Sequence, residues 1–457
     1  MNILLASTAA YHDNFTGANK INRQIVEQLA AQGHQCAVFA LKKPLNALPA
    51  AHAATNAASI TQELRQINGV EVLTADIDHA GQLSALRDIV ETQIRRVDPD
   101  WILVSSEDWG QFLLEAAVRT APGKVVYLAH TPIALPFGPD SIMPSPLGKQ
   151  LMRQTAAVIA LSRFLADYIE QWGGIKTHTV YPPVYGAGPF PLHPDAAKRY
   201  VTMVNPCTVK GIQIFLELAR HMPLVEFAAV LTWGTTPADK QDLEALPNIT
   251  LMDPVEDIDI ILACTKVLLM PSLWNEGFGL IIVEALLRGI PVVSSNAGGI
   301  PEAKLGTRFV LPVNPITEYG LDQDLTLARK VPDQDLPPWI DAVQSLLTDH
   351  DLYRHEAQAS RTAAEAFVAG LGIEHYEQVF NELAQQRDAN PNVPSSATTP
   401  TQRIQHLSDD RRALLQLLRK EKRQQQQDDG IQPQAREDGC APLALAQQRL
   451  WVVEQLL

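Results

Sequence analysis

Residues 271–302 read PSLWNEGFGLIIVEALLRGIPVVSSNAGGIPE, and this stretch decides the fold. An apolar run precedes it, VLLM at Val267–Met270, and such a run is typical of a strand that is buried on both faces. A loop with two glycines follows, and the apolar segment Leu280–Arg288 then has the composition of a helix. A glycine and a proline end that helix, and residues 291–295 (PVVSS) begin another strand. The stretch therefore predicts a strand–loop–helix–strand unit of a parallel α/β sheet.

Two glycines and two glutamates stand around the start of the predicted helix. Gly277 and Gly279 carry no side chain, so we expect a ligand to approach the backbone closely there. The free N–H groups of the first helical turn, from Leu280 onward, favour an anion such as a diphosphate. Glu276 precedes the helix and Glu284 lies about one turn inside it, and carboxylates accept hydrogen bonds from hydroxyl groups. A diphosphate with a hydroxyl-rich group on either side describes a nucleotide-sugar.

This pattern resembles the E-x7-E motif of retaining GT-B glycosyltransferases, in particular the large family-4 group. The resemblance extends to residues 298–302 (GGIPE), which match the GGxPE string of that family. It implies that Glu276 contacts the donor sugar, that Glu284 contacts the ribose, and that the fold is GT-B, with two Rossmann-like, doubly wound parallel sheets facing across a cleft. The donor site that the motif predicts comprises Glu276, Gly277, Phe278, Gly279, Leu280 and Glu284.

A second site element is VNPCTVKG, residues 204–211, which follows a predicted strand and opens a helix. Lys210 can place a point charge against a phosphate in the same crevice, although a solvated lysine at a helix start is the simpler alternative. By resemblance, Lys210 belongs to the Lys-Gly pair that holds the donor diphosphate. The family usually has an arginine five residues earlier, where this chain has Asn205. An asparagine cannot grip a diphosphate as an arginine fork does, so the departure puts full activity in question.

The first half of the chain offers acceptor-side candidates. His130 follows a predicted strand, KVVYLA, and a polar residue at the carboxyl end of a central strand faces the ligand crevice. By resemblance His130 lies beside the reacting sugar, and Gly17, in FTGANK, belongs to the glycine loop beside the donor. A hydrogen-bonded loop histidine is the plain alternative for His130. Glu107 and Asp108 follow another strand and are weaker candidates for acceptor contacts, a solvated loop being the simpler interpretation. The predicted catalytic residues are therefore Glu276, Lys210 and His130.

Composition sets the limits on class. The 457 residues suffice for two or three domains, and a net charge of −14 argues against a nucleic-acid partner. Four scattered cysteines without a CxxC pair predict reduced thiols and a cytoplasmic location. No apolar run approaches the length of a membrane span. Acidic D-x-D triplets occur without the strand-to-loop context of a metal site, so we expect no catalytic metal. No cofactor is expected either, because the nucleotide-sugar is a substrate.

The end of the chain carries a second resemblance. A polar linker precedes LSDDRRALLQLLRK, residues 407–420, whose acidic start and basic end suit an amphipathic helix. ALAQQRLW, residues 444–451, resembles the opening motif of condensation domains in non-ribosomal peptide synthetases. The catalytic histidine motif of those domains is absent, so the resemblance covers a truncated start.

Together these patterns predict six parts. They are an acceptor-side domain over 1–180, an interdomain linker over 181–199, a nucleotide-sugar domain over 200–371, a crossover helix over 372–386, a flexible linker over 387–406, and a linker helix with a condensation-domain-like start over 407–457.

The predicted function is retaining transfer of a sugar from a nucleotide-sugar donor to a small-molecule or peptide acceptor, without a metal, in non-ribosomal peptide biosynthesis. Retention is implied by the resemblance. Two alternatives stay open: a GT-B enzyme of other chemistry, such as an epimerase or a phosphorylase, and a non-catalytic nucleotide-sugar-binding or docking module of a peptide-synthetase assembly line. Turnover distinguishes the first from the second.

Overall fold

The structure, a computed structural model, describes residues 1–12, 16–43, 45, 60–194, 197–319 and 330–389. The synthetase-like tail predicted over 407–457 lies outside the described residues, as does the linker predicted over 387–406 except for its first three residues. In the described part of the chain, no helix is both long enough and apolar enough to cross a membrane.

Eight strands of the first half form one sheet: β1 Asn2–Ala6, β2 Gln35–Leu41, β3 Thr61–Ile67, β4 Val70–Asp76, β5 Trp101–Ser105, β6 Val125–Ala129, β7 Ala157–Ala160 and β8 His178–Thr179. Their order is β3-β4-β2-β1-β5-β6-β7-β8. The connecting helices are α1 Gly17–Ala31, α2 Leu83–Val97, α3 Phe112–Thr120, α4 Pro146–Met152 and α5 Arg163–Tyr168. The central strands are buried along their whole length, which explains their continuous apolar sequences.

The strand β3 is the element that the sequence prediction missed. The Ala-, Pro- and Asn-rich composition of residues 41–61 predicts a long loop or short helices, and most of that range lies outside the described residues. Thr61, at its end, begins a strand that pairs antiparallel with β4. Nearly every side chain of β3 is exposed, because it is the edge of the sheet. Its sequence, TQELRQI, therefore lacks the apolar run that revealed the buried strands, and the first sheet is parallel except for this edge.

Six parallel strands form the second sheet: β9 Tyr200–Val204, β10 Phe227–Val230, β11 Ile249–Met252, β12 Thr265–Met270, β13 Val292–Ser295 and β14 Val310–Leu311. Their order is β11-β10-β9-β12-β13-β14. The helices of this half are α6 Ile212–His221, α7 Pro237–Glu244, α8 Asp259–Leu262, α9 Leu280–Leu287, α10 Ile300–Ala303, α11 Pro337–Thr348, α12 His350–Val368 and α13 Glu374–Ala389.

Strand order locates the ligand crevice in each sheet. The direction of winding reverses between β1 and β5 in the first sheet and between β9 and β12 in the second. In open parallel sheets, ligands bind outside the carboxyl ends of the strands at such a reversal. The loops after β1, β5 and β6 in one half, and after β9 and β12 in the other, are therefore the places to look for a site.

Helix α13 returns from the second half of the chain onto the first sheet. The ring of Phe380 is fully buried and stacks on Trp101 of β5, with 6.4 Å between ring centroids. His34 Nε2 lies 2.6 Å from Glu377 Oε1, and the Arg387 guanidinium lies 5.0 Å from the centre of the Trp101 ring. The helix thus ties the two halves together. The domain limits predicted from the sequence stay predictions, since the strand order shows where each sheet lies and not where each domain ends.

We predict that Phe380→Ala lowers the unfolding free energy by about 3–5 kcal/mol, because it leaves a cavity against Trp101. Gln378→Ala, at an exposed position on the same helix, is the matched control. Thermal unfolding followed by calorimetry measures both. Equal unfolding temperatures for the two variants would show that α13 contributes nothing to the stability of the first half.

Candidate functional site

A cleft of about 1850 Å³ lies between the two sheets. Pockets for single drug-sized ligands usually enclose about 300–1,000 Å³, so this cleft has room for two substrates. Its walls include all of the residues that the sequence predicted for the site: Gly17, His130, Asn205, Lys210, Glu276, Gly277, Phe278, Gly279, Leu280 and Glu284. The role of each residue stays a prediction.

Glu276 follows β12 and is held on both its backbone and its side chain. Its carbonyl oxygen accepts a hydrogen bond from the N–H of Gly299 at 2.8 Å. Its Oε1 accepts from three donors: Ser272 Oγ at 2.7 Å, Trp274 Nε1 at 2.6 Å and Lys210 Nζ at 2.5 Å. Glu276 Oε2 makes no hydrogen bond with the described residues, so this oxygen is available to ligand hydroxyls.

Lys210 reaches Glu276 from the loop after β9. The loop turns at Gly211, which has a φ of +81°. A Cβ added to Gly211 would lie 2.1 Å from the Pro271 carbonyl oxygen, so only glycine fits there. The Lys210 ammonium lies 4.8 Å from the centre of the Trp274 ring. An ion pair and an aromatic face therefore hold Lys210 at the cleft wall, and it is not the solvated lysine of the simpler alternative.

Helix α9 begins at Leu280, where the sequence predicts an anion-binding helix start. Gly279 precedes it with a φ of +116°, and no side chain caps its first turn. The sequence analysis expected a ligand to approach the backbone at Gly277, but the structure gives another reason for a glycine there. A Cβ at residue 277 would lie 1.9 Å from the His130 carbonyl oxygen, so the missing side chain makes room for the first domain and not for a ligand. Ser162 Oγ also donates to the Gly277 carbonyl at 2.5 Å, which joins the two domains at this loop.

Phe278 differs from the expectation as well. Its ring is 2% exposed and packs against Tyr181 and Phe367, with centroid distances of 5.6 and 5.9 Å. This packing makes its side chain part of the core behind the cleft. A donor contact at this position therefore depends on the backbone of Phe278, since its ring is already in contact with protein.

Glu284 contacts a residue that the sequence analysis missed. Its carboxylate accepts from the Lys20 ammonium of α1, a residue of the first domain. One turn on from Lys20, Arg23 pairs with Glu256 of the second domain at 3.5 Å. The lysine stands three residues after Gly17 and hence on the same side of α1, which is the one local signal that could have found it. Glu284, which the motif predicts to bind the ribose, is thus paired with the Lys20 ammonium of the first domain.

The N-termini of α1 and α9 lie side by side. A Cβ at Gly17 would make an ordinary contact of 3.5 Å with Leu280 Cδ1. Thr16 caps α1 by accepting from the N–H of Asn19 at 3.2 Å. Two helix dipoles therefore present their positive ends to the same part of the cleft.

His130 is a neutral, buried imidazole. Its Nε2 lies 2.8 Å from Asn22 Oδ1, and Asn22 Nδ2 donates to Ser105 Oγ at 3.1 Å, which fixes the amide and makes Nε2 the protonated nitrogen. Its Nδ1 is buried and has no partner among the described residues. Burial lowers the pKa of His130 to about 3. Such a group can accept a hydrogen bond from a ligand but carries no charge at neutral pH.

The side chain of Asn205 makes its hydrogen bond within the second domain. The residue has a left-handed backbone, with a φ of +60°, which asparagine tolerates better than most residues. Its Oδ1 accepts from the N–H of Gly234 at 3.0 Å. The side chain that replaces the family's arginine therefore supports the loop after β10.

The weaker candidates Glu107 and Asp108 are not solvated. Asp108 is 2% exposed and caps α3, accepting from the N–H groups of Phe112 and Leu114 at 3.0 and 2.9 Å. Glu107 lines the cleft, and burial raises the pKa of its carboxyl to about 7. Asp108 is therefore structural, because it holds the start of α3, and Glu107 faces the cleft.

Two glycosyltransferase family models match this chain. Residues 15–185 match the model of glycosyltransferase family 4, and residues 199–349 match the model of glycosyl transferases group 1. An exopolysaccharide phosphotransferase of Streptomyces coelicolor is 23% identical over 70% of this chain and 33% of its own length. A D-inositol 3-phosphate glycosyltransferase of Corynebacterium jeikeium is 26% identical over 38% of this chain and 41% of its own length. The matches thus span between a third and about two fifths of these curated relatives.

Solved structures agree with the fold. HepE of Anabaena, crystallised with UDP and glucose, superimposes with a TM-score of 0.58 at 18% identity, covering 84% of this chain and 99% of that protein. This likeness confirms the GT-B architecture that the sequence predicted.

The histidine's neutrality gives a pH prediction. The unfolded pKa of histidine is about 6.5, above the folded value of about 3, so the unfolded chain binds the proton first. His130 therefore makes the unfolding free energy fall as pH drops from about 6.5 toward 3. In His130→Gln the slope between pH 6.5 and 5 should be smaller by up to about 1.4 kcal/mol per pH unit. Urea unfolding at several pH values measures it, and identical slopes would contradict a buried neutral imidazole.

The contact at Gly277 gives a second prediction. In Gly277→Ala the added methyl meets the His130 carbonyl, so the domains must separate. We expect a larger radius of gyration by small-angle X-ray scattering and a lower unfolding temperature. Gly370→Ala is the control, since its Cβ would make an ordinary contact of 3.5 Å. If both variants match the parent protein, the contact does not set the domain spacing.

The chain therefore matches a glycosyltransferase family 4 domain over residues 15–185 and a glycosyl transferases group 1 domain over residues 199–349, and its fold is GT-B.

Proposed function

We propose that this chain is a retaining glycosyltransferase that moves a hexosyl group from a nucleotide-sugar to an acceptor without a metal ion. One observation carries the proposal: Glu276 and Glu284 stand at either end of the uncapped start of α9, in a cleft between two Rossmann-like sheets. The spacing suits a ligand that has hydroxyl groups on both sides of a diphosphate. Both glutamates are nearly buried, and both line the cleft.

In this proposal the donor lies along the start of α9. Its sugar hydroxyls bond to Glu276, its diphosphate lies on the first N–H groups of α9, and its ribose bonds to Glu284. The Lys210 ammonium, already beside Glu276, stabilises the charge that grows on the leaving diphosphate. The bond from the anomeric carbon to the diphosphate oxygen breaks, the acceptor oxygen bonds to that carbon from the same face, and the acceptor's hydroxyl proton passes to the departing diphosphate oxygen. The HepE structure was solved with UDP and glucose, which supports a uridine nucleotide as the first donor to try.

The neutral His130 orients the sugar in this mechanism. Its Nδ1 lone pair has no partner in the described structure and accepts a hydrogen bond from a sugar hydroxyl. A charged imidazole could not do so, which makes the low pKa useful.

The acceptor is a small molecule or a peptide. A peptide of non-ribosomal origin remains the hypothesis that the tail suggests. Transfer to simple sugars but never to such peptides would end it.

The test is turnover. The purified chain is incubated with UDP-, ADP-, GDP- and TDP-glucose with and without EDTA, and proton NMR follows nucleotide release and the anomeric configuration of the product. We expect release of one nucleoside diphosphate, an α-configured product, and no effect of EDTA. Glu276→Gln should reduce turnover by about 100-fold or more, because its contacts strengthen in the transition state.

Other outcomes point elsewhere. Release of a nucleoside monophosphate would mean sugar-phosphate transfer, the kind of chemistry named for the Streptomyces relative. Interconversion of the donor sugar without transfer would mean an epimerase. Binding of a nucleotide-sugar without any turnover would mean the non-catalytic module, and each of these results would contradict the proposal.

Lys20 gives a further donor-site prediction. We propose that a bound ribose displaces Lys20 from Glu284 and that the lysine then pairs with the diphosphate, supplying the cation that Asn205 cannot. Lys20→Gln should weaken nucleoside diphosphate binding by about tenfold and nucleoside binding much less. Asn205→Arg in the Lys20→Gln background should restore part of the loss. Calorimetry measures each affinity. If Lys20 only blocks Glu284, Lys20→Gln will instead tighten both ligands.

A further inference from the structure

An exposed tryptophan in the cleft has no role in the donor site. In the described residues the exposed large apolar side chains are Leu64, Trp172, Leu192, Leu224, Trp233 and Ile260. Of these six, Trp233 is the one that lines the cleft, with 53% of its surface exposed. An aromatic ring left open to water inside a ligand cleft marks a binding surface more than a packing surface.

The neighbours of Trp233 place it at the sugar end of the cleft. Its ring lies 6.3 Å from the ring of Trp274, tilted by 39°. Trp274 is 6% exposed, and its Nε1 donates to Glu276, the predicted ligand of the donor sugar. Glu284, the predicted ribose ligand, is held by Lys20 on the other side of the α9 start. Trp233 is therefore next to the sugar and away from the nucleotide.

The loop that carries Trp233 is held on both sides. Before α7, Thr236 and Asp239 form a capping box, with the Asp239 N–H donating to Thr236 Oγ1 at 3.1 Å. At Gly234, the backbone N–H donates to Asn205 Oδ1, and an added Cβ would lie 2.8 Å from both Asn205 Oδ1 and Cys207 Sγ. The residue that replaces the family's arginine thus fixes the position of this aromatic ring. A fixed ring loses little freedom when a ligand stacks on it.

The first domain also lines the cleft with apolar side chains. Trp109 and Ile142, both from the first domain and both lining the cleft, pack against the cluster of the second domain that contains Trp274. A ligand in this cleft therefore has apolar side chains of both domains within its lining. The cleft volume, about 1850 Å³, leaves room for it beside a nucleotide-sugar.

Resting on the proposed function, we infer that Trp233 is the stacking platform of the acceptor subsite and that the acceptor presents a flat ring with an apolar face. A pyranose ring and an aromatic ring share this chemistry, since each offers C–H groups or a π-face to the indole. The acceptor hydroxyl beside that ring is then held next to the sugar bound at Glu276.

The experiment compares the parent chain with Trp233→Ala, Trp233→Phe and the control Trp172→Ala, whose indole is 43% exposed but does not line the cleft. Saturation-transfer difference NMR, with the nucleoside diphosphate present, tests methyl α-glucopyranoside and 4-methylumbelliferone as ring probes and glycerol as a ringless probe. Acceptor KM values are measured with the donor that turns over.

We expect Trp233→Ala to abolish saturation transfer to a ring probe and to raise the ring acceptor's KM by about tenfold, with nucleotide affinity unchanged within about twofold. Trp233→Phe should recover most of the loss, and Trp172→Ala should behave like the parent. Which probe binds distinguishes a sugar acceptor from an aromatic one.

Three results would overturn the inference: no ring probe bound by the parent chain, ring binding untouched by Trp233→Ala, or a loss of nucleotide affinity in its place. A parent chain that binds a ring probe at Trp233 but turns over no nucleotide-sugar would contradict the proposed function and not the subsite.

Discussion

The approach of the loop before α9 to the first domain fixes the geometry of the site. The His130 carbonyl lies where a side chain at residue 277 would begin, and Ser162 bonds to the Gly277 carbonyl. A Cβ at Gly299 would lie 2.4 Å from that same carbonyl oxygen, so the loop is also packed from behind. Because the loop before α9 is fixed on both sides, Glu276 stands at a defined distance from the first domain. A site made by two domains needs such a stop.

Charge in the cleft is arranged in pairs. Glu276 is matched by Lys210 from its own domain, and Glu284 by Lys20 from the other. Removing one partner of a nearly buried pair leaves an uncompensated charge, which is costly. A nucleotide-sugar avoids that cost by offering both kinds of partner, hydroxyl groups for the carboxylates and a diphosphate for the ammonium groups. This is how a chain with a net charge of −14 can hold an anion.

The sequence predicted what is local and missed what is not. The strand–loop–helix unit around Glu276 and Glu284 carries its own apolar runs and glycines, and a short window contains all of it. The exposed edge strand β3 has no apolar run, so pattern reading took its start for a loop. Lys20 contacts a glutamate 264 residues away, and the role proposed for Trp233 depends on Trp274, which lies in another loop. Gly277 was expected to make room for a ligand, because a sequence does not reveal whether a ligand or another part of the protein lies against a glycine.

The central claim is that the start of α9 holds a diphosphate between Glu276 and Glu284. A calorimetric titration of the parent chain with UDP, ADP, GDP and TDP, each beside its nucleoside, tests it most directly. We expect one diphosphate to bind at least about tenfold more tightly than its nucleoside, because the helix start and the lysines are placed to contact the phosphates. Equal affinity for the nucleoside and its diphosphate, or no binding by any of them, would contradict it.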